Sequence, residues 1–162
     1  MPKSKPSVIP GDGAESLSPL DCAMVTADAL YRAALDTWHH HERLSRLVGR
    51  PTIEIEHRVA REMCSLCDEA LGDMLAAYEL AAKGMQPDGD EAEAWHKANS
   101  LWLASREYLR RHTGCDQLTR RIGSHSADQL GTMVVEFDLE ASSVLALKHA
   151  AEAYRRTRPG LS

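Results

Sequence analysis

The chain has 162 residues, 27% charged, 43% hydrophobic and only 5% aromatic, with a formal net charge of −5. That length fits one domain with a real core, and the acidic balance disfavours nonspecific binding to nucleic acid. No apolar run approaches the ~18 residues of a membrane span, and the opening stretch has no apolar h-region, so the expectation is a cytoplasmic protein with no membrane partner.

Residues 1–17 are rich in Pro, Gly and Ser and read as a disordered N-terminal tail. Ser18-Pro19-Leu20-Asp21 is a helix start, with Ser18 as cap, Pro19 in the first helical position and Asp21 as the capping-box acid. From there Leu20, Met24, Ala27, Tyr31, Ala34, Trp38, His41, Ser45 and Val48 recur at spacings of three and four, one face of an amphipathic helix. Gly49 is placed to cap it and Pro51 restarts the chain. A second helix is predicted from about Thr52 to Lys83, with Ile53, His57, Ala60, Cys64, Cys67, Leu71, Met74, Tyr78 and Ala81 on its seam. Gly84 ends it, and Gln86-Pro87-Asp88-Gly89-Asp90 is turn chemistry. The third, about Glu91 to Ile122, places Trp95, Ala98, Trp102, Ser105, Leu109, His112, Cys115 and Ile122 inward. Its weak point is Gly114, where a helical Gly costs about 1 kcal/mol. The fourth, about Ala127 to Thr157, is expected to bury Leu130, Val134, Phe137, Ala141, Val144, Leu147 and Ala151 before Pro159-Gly160 stops it.

Four helices of matched length, each about 46 Å, joined by short connections, predict an all-α, antiparallel up-down-up-down four-helix bundle. It spans 18–158, with 159–162 a short C-terminal tail. The matched lengths favour a third helix that continues through Gly114.

Antiparallel pairing, read from the turn positions, brings His41, His57, His112, Cys115, Met133 and Glu136 within ~6 Å of one another along the bundle axis. Imidazole, thiol and carboxylate converging between helices is the composition of a transition-metal site, which makes His41, His57, His112, Cys115 and Glu136 candidate ligands. The alternative is a purely structural polar layer that fixes register. Histidines gathered inside a bundle are expected to titrate below their usual value of about 6.5, so that stability falls as pH drops from 7 to 5.

Two E-x-x-H matches, Glu54/His57 and Glu93/His96, resemble the motif of ferritin-like di-iron bundles. In that family such a motif from each of two helices joins one Glu from each of the others. Here the two motifs start helices two and three, at opposite ends, so they cannot share one metal pair. Cys64-Ser-Leu-Cys67 looks somewhat like the paired cysteines of the all-helical alkylhydroperoxidase-D-like proteins, which place a His four residues later. This chain has Leu71 there. The motif also sits inside a helix, away from the N-terminus that would activate a thiol. Four cysteines on predicted helices are therefore read as reduced and packed.

The end of the bundle near residue 50 is richer in Arg and His than the other end. Arg43, Arg46, Arg50, Arg58, Arg61, Arg110, Arg111, Arg120 and Arg121 are candidates for meeting phosphate or carboxylate on a partner; surface ion pairs are the alternative. On the fourth helix Val135, Leu139, Leu145 and Ala146 widen the apolar stripe beyond one buried face, which marks a self-association surface.

The sequence points first to a non-enzymatic helical-bundle interaction module, or a small subunit of a larger assembly, acting through a protein partner or as a homodimer. The second reading is a metal-binding bundle, ferritin-like or redox, with a transition metal held by the His/Cys/Glu layer. The third is a small helical subunit contacting a nucleic-acid backbone through the Arg-rich end. No catalytic residue is assigned.

Overall fold

A computed structural model describes residues 17–47, 54–120 and 127–161. They form an all-α four-helix bundle: α1 (Pro19–Leu47), α2 (Glu54–Ala82), α3 (Glu91–Arg120) and α4 (Ala127–Thr157). Of the expected tail over 1–17 all but Leu17, and also the break around Gly49 and Pro51 and the connection before α4, lie outside the described residues. No described helix is long and apolar enough to cross a membrane.

The local chemistry at the helix ends follows the sequence. Ser18 and Asp21 form a reciprocal cap: the Asp21 amide donates to Ser18 Oγ at 3.1 Å, and the Ser18 amide donates to Asp21 Oδ2 at 3.2 Å. Each bond satisfies a donor that the first turn would otherwise leave without a partner. Gly84 adopts φ 76° directly after α2, the left-handed conformation that a side chain resists. α3 runs unbroken through Gly114.

The two hairpins, α1–α2 and α3–α4, pack far more extensively within themselves than against each other. The cross-section is a rhombus: α1 and α3 approach across the short diagonal, whereas the backbones of α2 and α4 stay more than 8 Å apart among the described residues. The apolar core fills one half of this rhombic prism. Leu30, Ala34, Leu71, Tyr78, Leu101, Tyr108, Leu147 and Tyr154 are its main members, all buried. Its polar tips are satisfied: Tyr78 donates to Asn99 Oδ1 at 2.8 Å, and Tyr154 donates to Asp28 Oδ1 at 2.7 Å beside a two-bond Arg158–Asp28 pair.

The fourth helix departs from expectation. Leu130, Val134, Phe137 and Ala141 are exposed, and the inward face instead reads Met133, Glu140, Ser143, Leu147, Ala151 and Tyr154. The inward heptad steps run back from Leu147 to Glu140 and Met133. Counting apolar residues alone lets the assigned seam drift about 100° round the helix, because this stretch carries more apolar side chains on its flanks than on its buried face.

Candidate metal centre

Where the apolar core stops, each helix contributes one polar side chain to a common layer. The layer consists of His41 from α1, Asp68 from α2, His112 from α3 and Glu140 from α4. His112 is the hub. Its Nδ1 lies 2.5 Å from Glu140 Oε1 and its Nε2 lies 3.2 Å from Asp68 Oδ2. One imidazole thereby bridges α2 and α4, the helices at the two ends of the long diagonal. Across the short diagonal, the His41 ring stands edge-on to His112 with centroids 6.3 Å apart, and His41 Nε2 lies 3.8 Å from the same Glu140 oxygen.

A further set of contacts fixes this arrangement. The Tyr108 ring stacks on His112 at 5.7 Å, and its hydroxyl donates to Asp68 Oδ1 at 2.9 Å. The phenol holds the carboxylate, and the carboxylate holds the imidazole. Cys115, one turn on from His112 and 3% exposed, donates its thiol to the Glu136 carbonyl oxygen at 3.4 Å.

The electrostatics follow from burial opposed by contact. Burial pushes the Glu140 carboxyl up, but the hydrogen bond from His112 and the nearby His41 imidazole outweigh it and hold it down at about 2. The same bond from Glu140 raises His112 above the ordinary histidine value, against the cost of desolvation. This overturns, for His112, the expectation of a lowered histidine, because the carboxylate beside it counts for more than burial. Asp68 goes the other way: desolvation raises it, and its contacts with His112 and Tyr108 only partly offset that. Burial and the neighbouring carboxylates push Cys64 up to about 11 and Cys115 up to about 12, so both thiols are protonated at neutral pH.

His41 Nε2, the His112 ring and a Glu140 oxygen present three donor atoms within 4.8 Å of one another. To take a divalent ion with metal–nitrogen and metal–oxygen bonds of ~2.0–2.2 Å, the Glu140 oxygen would have to give up its close contact with His112 Nδ1 while the His41 imidazole moves in. With the Nδ1 face of His112 turned to Glu140, Asp68 on Nε2 supplies the outer carboxylate that commonly orients a metal-bound imidazole. Nitrogen and oxygen donors with protonated thiols nearby suit a borderline ion such as zinc better than a thiophilic one.

Of the ligands expected from sequence, His41 and His112 belong to this group. Cys115 is buried beside it but outside the three-donor cluster. Glu136, one turn before Glu140, accepts from Arg111 at 3.3 Å instead. His57 lies outside the group, eleven residues before Asp68 and so ~16 Å away along α2. Thr37 Oγ1 donates to the Cys67 carbonyl and Tyr78 reaches Asn99, which sets α2 about one turn farther along the bundle than the turn positions alone imply. That shift carries His57 away from the layer and Asp68 into reach of it. Asp68, Tyr108 and Glu140 were missed by the sequence reading. Extending the Leu147 heptad backward would have found Glu140.

The E-x-x-H motifs stand apart, at the starts of α2 and α3, with Glu54, Glu93 and His96 exposed. In the Arg-rich end, Arg46 pairs with Glu42 at 2.7 Å, and Arg110 and Arg111 both pair with Glu107. Arg43, Arg58 and Arg61 are exposed, while Arg50, Arg121 and the Arg120 side chain lie outside the described residues. Val135, Leu139 and Leu145 are 56%, 37% and 52% exposed. No protein-family model matches the chain, and comparison with curated proteins and with solved structures likewise found none similar to it.

Proposed function

We propose that this bundle binds one divalent transition-metal ion through His41, His112 and Glu140. The observation that carries the reading is the cluster itself: three donor atoms from three helices lie within 4.8 Å of one another, and Asp68 and Tyr108 brace the central imidazole from behind. Here one Glu140 oxygen faces two imidazoles and one imidazole faces two carboxylates, so nitrogen and oxygen donors from different helices converge on one place. Three protein donors leave a coordination position for water, the arrangement of open zinc sites.

The test is calorimetric titration with zinc at pH 7 on protein prepared without a histidine tag, with elemental analysis of the product. One equivalent bound by the wild type, and none by His112→Gln or Glu140→Gln, is the expected result. A wild type that takes up no zinc, cobalt, manganese or ferrous iron refutes it.

A second reading, an interaction module, is favoured by a separate observation. On the first half of α4, Leu130, Val134, Val135 and Phe137 are between 43% and 61% exposed. Self-association or a protein partner would cover such a surface.

A further inference from the structure

The proposed ligands are divided between the two hairpins: His41 lies on α1–α2, and His112 and Glu140 on α3–α4. They sit where the apolar core ends, since the core cluster reaches Ala34, Leu71, Tyr108 and Leu147 and goes no further. Beyond that layer, the buried apolar side chains among the described residues are small or soft: Ala60, Cys64, Cys115 and Met133. Of the larger ones, Leu44, Leu47 and Leu118 are half-buried, whereas Ile55, Val59, Leu66, Leu130, Val134 and Phe137 are 43% to 61% exposed. A cleft of about 260 Å³ also opens between α1 and α2 in this half, lined by Leu47, Ile55, Val59 and Met63 among others. Among the described residues, the apolar burial that closes the first half of the bundle is thus thinner in the second. There, α2 and α4 are joined through the His112 imidazole.

We propose that the metal ion acts as a clasp that decides whether this second half of the bundle is closed. Bound to His41, His112 and Glu140, it ties α1, α3 and α4 directly and α2 through Asp68 on His112. Removed, it leaves the two hairpins held together at that level by the polar contacts of His112, Tyr108 and His41 with Asp68 and Glu140. The half then opens as a local unit while the apolar half stays folded. Coupling follows from linkage, because an ion that binds only the closed form disfavours opening by its own binding free energy. The inference rests on the metal-binding reading and extends it from a site to a conformational control.

The chain carries its own reporters. Cys64 and Cys115 are buried in the second half, at 6% and 3% exposure, whereas Cys22 is exposed near the start of α1. Alkylation by iodoacetamide is to be followed at each thiol by mass spectrometry, with zinc and with a chelator, alongside backbone hydrogen exchange over residues 54–66 and 94–105. With zinc held at about 100 times its dissociation constant, alkylation of Cys64 and Cys115 and exchange over 54–66 should slow by about 100-fold. Cys22 and residues 94–105 should not change, and Glu140→Gln should lose the zinc effect.

If calorimetry shows zinc bound but the buried thiols and residues 54–66 react at chelator rates, the clasp is wrong and the metal site stands. If no metal binds, the metal-binding reading itself falls. A sulfur-to-metal charge-transfer band in the cobalt-loaded protein would mean that a thiol is protected as a ligand. That result would also overturn the clasp. Hydrogen exchange on the wild type decides the matter even if the Glu140 variant fails to fold.

Discussion

Two carboxylates, Asp28 in the apolar half and Glu140 at the layer, occupy comparable positions and have opposite characters. Asp28 accepts from the Tyr154 hydroxyl and from two nitrogens of Arg158. A guanidinium keeps its charge at any pH a protein meets, so that network has one state. Glu140 bonds to the His112 imidazole and lies near that of His41, groups that exchange protons near neutrality and bind metals. The fold therefore uses the same motif, a carboxylate satisfied from neighbouring helices, once as a permanent lock and once as a replaceable one. The difference lies in the donors, and apolar packing follows it: dense around Asp28, thin beyond Glu140.

The sharpest way to break this comparison is to remove packing from each half. Leu101→Ala, in the apolar core at 0% exposure, should cost ~2–5 kcal/mol in denaturant unfolding. Leu130→Ala, 53% exposed on α4, should stay within ~0.5 kcal/mol. Equal costs would show that the second half is packed as well as the first. Next in size, Asp28→Ala strands Tyr154 and the partly exposed Arg158, and should cost ~2–3 kcal/mol at any pH from 5 to 8. Zinc at about 100 times its dissociation constant should add ~2.7 kcal/mol to the wild type and nothing to His112→Gln.

The fold was legible because its signals are local: a capping box at Ser18, a left-handed glycine at Gly84 and a 3.6-residue period in α1 and α2. The layer was half legible. His41 and His112 lie on seams that periodicity identifies, but Glu140 is legible only from the sparse seven-residue series Met133, Leu147 and Tyr154, which the richer apolar flanks of α4 obscure. Asp68 enters because the register of α2 brings it level with His112, and Tyr108 because it stacks on that imidazole and donates to Asp68. Register is the other obstacle. A one-turn error in pairing α1 with α2, invisible in the sequence, exchanges His57 for residues nearer Asp68.

The pH response sharpens the contrast further. His112 is raised by its bond to Glu140. Its contribution is therefore fully present below the unfolded histidine value of about 6.5 and is lost as pH rises through the higher folded value. Glu140 is lowered to about 2 from 4.5, so its contribution is present above 4.5 and lost as pH falls toward 2. Asp68, raised by burial, gains on acidification and softens that loss. In chelator, then, the stability due to this layer should peak between about pH 4.5 and 6.5 and decline toward pH 8. His112→Gln should remove the decline. Zinc binding should strengthen over the same rise in pH, since the ion displaces a proton from the imidazole. A metal-free denaturation midpoint that falls from pH 7 to pH 5 would contradict the raised histidine.

The smallest change in folding energy is expected on the outer surface of α4, where the consequence is association. This helix is inverted along its first half: Glu140 and Ser143 point inward, while Val135 and Leu139 are exposed on one flank and Val134 and Phe137 on the other. If the first flank pairs with a second copy, Val135→Lys with Leu139→Lys should give a folded monomer. Its unfolding free energy, compared at dilution where both proteins are monomeric, should match the wild type within ~0.5 kcal/mol, because neither side chain is buried within one chain. Val134→Lys with Phe137→Lys serves as the matched control, equal in charge and helix but directed to the α1 side. Sedimentation at tens of micromolar separates the outcomes. A wild-type dimer broken by the first pair alone assigns the interface to that flank, and one broken by the second pair alone moves it to the other. A wild type that sediments as a monomer removes self-association altogether and leaves the exposed flanks to a different protein.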